Sequence, residues 1–148
     1  MKYNKIIMVL AIMLTGCFEK KTDQTKTAIE NVVVPAEHDY SEVSDYELTW
    51  DSIFDVDSNR YYVYFYSAKC HHCAEIKNFI IERAIERGDV YFVKGTSKDQ
   101  LTTDTKKLIN AEKPSDFYIL GYPSLALISN KKCTKNLAGT VQIKTELK

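Results

Sequence analysis

The stretch Tyr61-Tyr62-Val63-Tyr64-Phe65-Tyr66, followed after Ser67-Ala68-Lys69 by Cys70-His71-His72-Cys73, decides how this chain is read. A continuous run of aromatic and β-branched residues is the pattern of a strand covered on both faces, because a half-solvated strand would alternate with polar residues. From Cys70 onward the period becomes helical. Cys73, Ile76, Phe79, Ile80 and Ala84 share one stripe, and Gly88 stands where a glycine ends a helix. Val90-Tyr91-Phe92-Val93 then supplies a second buried strand. Strand, helix and strand in this order make a right-handed βαβ unit with parallel strands.

Two thiols two residues apart can close a small disulfide or act as nucleophile and resolver. A helix beginning at Cys70 sets that sulfur beside unpaired backbone N–H groups, at the positive end of the helix dipole, where a thiolate is stabilised. His72, and His71 to a lesser degree, can add a positive charge or an N–H donor. In such surroundings a cysteine pKa falls from about 8.5 to roughly 3.5–7.5, so Cys70 is expected to attack at neutral pH. Cys73, one turn later on the apolar stripe, is expected to be buried, protonated and ready to resolve a mixed disulfide. The plainer reading of the same spacing is a structural disulfide or two inert thiols, with the histidines a solvated edge pair. The four residues are also donors suited to Cu(I) or Zn(II), although four consecutive residues do not readily enclose one ion.

Working outward, Trp50, Ile53 and Phe54 are spaced for a short amphipathic helix, and Leu101, Leu108 and Ile109 for one modest helix ending before Pro114. Leu125-Ala126-Leu127-Ile128 is a third strand, Asn130-Lys131-Lys132 a hairpin turn, and residues 133–138 a fourth, antiparallel strand. Residues 140–148 leave room for about two helical turns. The fold class is therefore α/β, with a central mixed sheet of about four strands flanked by helices. Cys133, just before the fourth strand, reads as a lone hairpin thiol.

The N-terminus reads as an export signal: Lys2 and Lys5 precede an apolar run over residues 6–14 that is too short for the roughly 20 residues needed to cross a bilayer as a helix. Leu14-Thr15-Gly16-Cys17 resembles the bacterial lipobox, which implies cleavage after residue 16 and a diacylglyceryl group on Cys17. Two acyl chains hold a protein stably on a membrane surface. Residues 17–45, polar and aperiodic around Val32-Val33-Val34, read as a lipid-anchored flexible linker in which His38 has no special part. The folded domain is then residues 46–148, about 100 residues and one small domain. Removing residues 1–16 takes away two lysines and no acids, leaving a formal net charge of −2 from the zero of the whole chain. No polycationic patch remains for nucleic acid. Export also places the cysteines where disulfides persist.

The strand Val63-Tyr64-Phe65-Tyr66 leading into Cys70-His71-His72-Cys73, with Gly121-Tyr122-Pro123-Ser124 opening a later strand, resembles the thioredoxin superfamily over roughly residues 48–148. The resemblance implies a three-layer thioredoxin-like fold and disulfide exchange without a cofactor. It also implies a cis Pro123 facing the cysteine pair, with Tyr122 before it modulating contact with an extended peptide. Lys69 stands where thioredoxins usually have tryptophan and Tyr64 where many have a buried aspartate, which argues against fast thioredoxin-like reduction. A tyrosine, with its reference pKa near 10, is a poor base at neutral pH.

These readings combine into a monomeric lipoprotein on the extracytoplasmic face of a bacterial cell membrane, exchanging disulfides with exported cysteine-containing proteins or a membrane redox partner. Cys70 is the expected nucleophile, Cys73 the resolver, His72 the electrostatic tuner, and Pro123 with Tyr122 the peptide-side wall; no metal is expected. Two alternatives stay open: a redox-inactive thioredoxin-like binding lipoprotein, and a Cu/Zn chaperone. Thioredoxin-like copper chaperones rely on a distal histidine, and no histidine follows position 72.

Overall fold

A computed structural model describes residues 37–148. The expected signal segment, Cys17 and most of the expected linker lie outside the described residues. The elements run β1 (Glu47–Leu48), β2 (Arg60–Tyr66), α1 (His71–Arg87), β3 (Val90–Lys94), β4 (Ser124–Ser129), β5 (Lys132–Ala138) and α2 (Thr140–Glu146). The strands form one sheet in the order β1-β3-β2-β4-β5, with β1, β3 and β2 parallel and β4 and β5 antiparallel. This is the thioredoxin-like α/β fold expected from the sequence, with five strands instead of four. The extra strand is the two-residue β1 edge, too short to leave a periodic signature.

Strand β2 is buried at every position after Arg60 because it lies mid-sheet, with Tyr64 opposite Phe92 on one side and Leu125 on the other. Side chains alternate along a strand, so β2 feeds two separate cores. Tyr62, Tyr64 and Tyr66 meet Ile76, Ile80, Ile81 and Ala84 of α1, together with Ile143 and Leu147 at the C-terminus. Tyr61, Val63 and Phe65 meet Ile53, Phe54, Phe117 and Ile119 on the opposite face. Each such aromatic or aliphatic burial stabilises by about 1.5–3 kcal/mol before entropy is charged against it.

Helix α1 ends as its sequence requires. Gly88 adopts φ +68°, and its N–H donates to the Ala84 carbonyl at 2.8 Å. A residue with a Cβ would be strained there. The β4–β5 turn puts Asn130 and Lys131 at φ +50° and +62°, the handedness that a two-residue hairpin needs.

Three expectations need correction. The segment between β3 and β4 contains only short 3₁₀ turns, Thr105–Lys107 and Pro114–Asp116, in place of one helix. Leu101 and Ile109 are exposed and only Leu108 is buried, so no apolar stripe exists to pack a helix. The Thr102 hydroxyl and Asp104 carboxylate accept from nearby backbone N–H groups, an arrangement that competes with helix formation. The Trp50 segment buries Ile53 and Phe54 as anticipated, but as a 3₁₀ turn, Trp50–Ser52.

The third correction concerns where packing begins. Residues Tyr40–Tyr46 form a 3₁₀ helix capped by Asp39 and Glu42, with Val43 fully buried and Tyr40 stacked on Tyr66 at 3.9 Å. The packed region therefore starts before residue 46. His38 is part of it: its N–H donates to Asn78 Oδ1 at 3.1 Å, and its ring lies 2.9 Å from Glu42.

Candidate active site

The parallel strands β2 and β3 both deliver their C-terminal ends to one edge of the sheet, where α/β proteins place their sites. Ser67, Ala68 and Lys69 turn the chain there, and α1 begins at His71 with Cys70 as its N-cap. The cap is the sulfur itself: Cys70 Sγ accepts from the Cys73 N–H at 3.1 Å. A backbone donor aimed at Sγ adds to the field of the helix terminus, and both favour negative charge on that atom.

Cys70 and Cys73 are joined as a disulfide. Their environments differ. Cys70 is half-buried at the surface, whereas Cys73 is 2% exposed among Tyr64, Tyr66 and Ile76. Ser124 is the sole fully polar residue buried in the core among the described residues, so no internal carboxylate stands ready to deprotonate Cys73. Tyr64 does not substitute for one. It is completely buried and adjoins Tyr40, and burial pushes its phenol far above the ordinary range.

Both histidines are exposed, and both face one carboxylate that the sequence reading did not single out. His72 Nδ1 is 2.8 Å and His71 Nε2 3.2 Å from opposite oxygens of Glu75. These hydrogen bonds and charges, His72 foremost, hold the Glu75 carboxyl below its usual value. The signal was present as spacing, since residues three and four apart on a helix are neighbours. The mouth of α1 therefore carries two imidazoles gathered on one carboxylate.

The Tyr122–Pro123 peptide is cis, as the resemblance implied. Phe65 pairs with Ser124, so continuing the antiparallel register by one step sets Pro123 opposite Tyr66, at the strand end from which the cysteine loop departs. Pro123 is buried and Gly121 and Tyr122 are half-buried, which leaves those two as the accessible part of this segment. The Tyr122 hydroxyl donates to Asp99, and Ser124 Oγ donates to the Gly121 carbonyl at 2.6 Å. Neither Asp99 nor its loop was visible as a site in the sequence, because the contact joins segments 23 residues apart.

Cys133 takes no part. It is fully buried, its Sγ donates to the Leu108 carbonyl at 3.3 Å, and burial pushes its thiol up to about 12. A groove of about 460 Å³ lies beside Trp50, Lys94, Asp99 and Pro114 and includes neither cysteine. Disulfide exchange needs an open sulfur and a surface to lie against, so an enclosed cavity is not what marks this site.

No protein-family model and no curated protein matches the chain. Solved structures of similar shape include thioredoxin f2 of Chlamydomonas reinhardtii, at 22% identity over 68% of this chain and 90% of that one, with a TM-score of 0.45. Mitochondrial thioredoxin 3 of Saccharomyces cerevisiae in its oxidised form is 14% identical over 72% and 96%, with a TM-score of 0.48. Spinach chloroplast thioredoxin f, long form, is 16% identical over 68% and 78%, with a TM-score of 0.45. The thioredoxin-like fold of this chain is read from its own strand order, its cysteine pair at the mouth of α1 and its cis proline before β4.

Proposed function

We propose that this protein is a thiol–disulfide oxidoreductase, held on the extracytoplasmic face of a membrane through lipid on Cys17, that exchanges disulfides with exported proteins or a membrane redox partner. The observation that carries the redox reading is the asymmetry of the pair: a half-buried Cys70 whose sulfur accepts from the Cys73 amide, and a buried Cys73 one turn below it. The anchoring reading is supported by the apolar run over residues 6–14 and the tetrapeptide ending in Cys17. Among the described residues, no helix is long and apolar enough to cross a membrane.

In the reducing direction, the Cys70 thiolate attacks one sulfur of a substrate disulfide. The substrate S–S bond breaks, a mixed disulfide forms, and the departing substrate thiolate takes a proton from solvent. Cys73 then loses its proton and attacks Cys70 Sγ, which releases the second substrate thiolate and closes the Cys70–Cys73 bond. The substrate gains two electrons and the pair loses two. Oxidation of a dithiol substrate is the same sequence reversed, and the partner's potential sets the direction. Cys73 lies in an apolar core without a buried acid, so its deprotonation draws on solvent or on the departing thiolate. Pro123 fixes the bend that brings Gly121 and Tyr122 alongside the pair, where an extended peptide would lie.

Dithiothreitol-driven reduction of insulin tests the activity. Turnover that disappears in Cys70→Ser supports the reading. Its absence in the unsubstituted chain, with a Cys70 thiol pKa near the ordinary 8.5, would favour a binding module, and stoichiometric Cu(I) uptake without turnover would favour a chaperone. Fractionation of expressing cells tests the anchor: Cys17→Ala is expected to move the protein from the membrane fraction to the soluble one.

A further inference from the structure

The loop that follows β3 is tied at its start to the end of β2 and at its end to the segment that leads into the cis proline. At its start, the Gly95 N–H donates to the carbonyl of Tyr66, the last residue of β2, at 2.6 Å. At its end, Leu101 bridges to Ile119: the Ile119 N–H donates to the Gln100 carbonyl and the Thr102 N–H to the Ile119 carbonyl, each at 3.0 Å. Ile119 lies three residues before Tyr122. Between these ties sits Asp99, and both of its carboxylate oxygens are engaged: Oδ1 accepts from the Thr96 hydroxyl at 2.8 Å, and Oδ2 from the Tyr122 hydroxyl. The Tyr122 ring reaches Asp99 by crossing Gly95. A Cβ placed on Gly95 would meet Tyr122 Cζ at 2.6 Å, well inside contact distance. The φ of Gly95 lies outside the left-handed region, so the ring above it is what a side chain there would displace.

Building on the oxidoreductase reading, we infer that Asp99 and Gly95 are positioning residues that lock Tyr122 and so preform the wall against which a polypeptide substrate lies. Pro123 is buried, so Tyr122 and Gly121 carry the accessible part of that wall. The Tyr122 ring packs against both hydrophobic cores, and Asp99 holds its far end through the hydroxyl. A tyrosine already fixed loses no rotamer freedom when a peptide docks, whereas a free one costs about 0.5–1.5 kcal/mol on binding, which equals roughly twofold to tenfold in affinity. A small disulfide with no chain to dock would not use the wall and would not register the difference.

Insulin and hydroxyethyl disulfide are the paired probes, each assayed for kcat and KM with the full chain. Asp99→Ala is expected to raise KM for insulin roughly threefold to tenfold relative to its effect on hydroxyethyl disulfide. Asp99→Asn, which keeps an oxygen to accept from the Tyr122 hydroxyl, is expected to recover most of that loss. Tyr122→Phe removes only the hydroxyl; it should reproduce the Asp99→Ala effect and add nothing when combined with it. Should Asp99→Ala fail to fold, Tyr122→Phe carries the same comparison alone. Equal effects on both probes, failure of Asp99→Asn to recover the loss, or additive losses in the double variant would overturn the positioning role. An unsubstituted chain that reduces neither probe would overturn the oxidoreductase reading itself, and the positioning role with it.

Discussion

The backbone N–H of Cys73 donates to the sulfur of Cys70 across 3.1 Å, so the main chain of one cysteine favours negative charge on the sulfur of the other while its own side chain lies buried. The two contributions of Cys73 can therefore be separated. Cys73→Ser keeps the amide and removes the thiol. It is expected to leave Cys70 reactive and to trap substrate as a mixed disulfide detectable by mass, whereas Cys70→Ser traps none. Adducts forming equally well on either variant would mean that the two cysteines are interchangeable.

Glu75 sits between the two imidazoles. Its carboxyl is held below its usual value, chiefly by the hydrogen bond with His72. Glu75→Gln removes a carboxylate near the helix mouth. The Cys70 titration midpoint should then fall by about half a unit at low ionic strength, with the difference shrinking as salt is added. A rise in the midpoint would show that Glu75 acts chiefly by holding the histidines in their charged form.

The buried thiol of Cys133 titrates at about 12 in the fold, against about 8.5–9 when unfolded. The unfolded chain thus gives up this proton first. Stability from this group is complete below pH 8.5–9 and declines as pH rises toward 12, by at most about 1.4 kcal/mol per pH unit. Tyr61, raised to about 12 by burial, adds a similar decline that starts only near pH 10. Urea titrations at several alkaline pH values should show Cys133→Ala losing the earlier part of the slope. In native protein, iodoacetamide should label Cys133 no faster than global unfolding exposes it; rapid labelling would contradict its burial.

The sheet and α1 were legible because their signals are local and dense: a six-residue buried run, a five-position apolar stripe and a glycine at the helix end each point to one structure. The cysteine pair was legible for the same reason, since both cysteines and both histidines lie within four consecutive residues. What escaped was held by contacts distant in sequence. Tyr40 and Val43 are bland in a polar segment until Tyr66 and Phe92 arrive to pack against them. Asp99 is an ordinary loop acid until Tyr122 reaches it. The absent helix after β3 failed for the opposite reason. Leu101, Leu108 and Ile109 look like one face at helical spacing, but threonine and aspartate side chains bond the local backbone there, and Asn110 turns the chain at φ +72°.

Packing at the N-terminal side is open to direct measurement. Val43 is fully buried against the α1 face of the sheet, and truncating it to alanine should cost roughly 1–3 kcal/mol in chemical denaturation. A chain starting at residue 46, which also loses the Tyr40–Tyr66 stack, should be less stable still. Unchanged midpoints in both would place the edge of the folded unit at residue 46 after all.

The central claim is that Cys70 carries a stabilised thiolate at the mouth of α1. With the pair reduced, the rate of Cys70 alkylation by iodoacetamide, followed against pH with Cys73→Ser and Cys133→Ala in place, measures it directly. A midpoint within the range of about 3.5–7.5 is the predicted result. A midpoint at or above about 8.5 would mean that neither the helix terminus, the Cys73 amide nor the histidines stabilise the sulfur, and the account would fail.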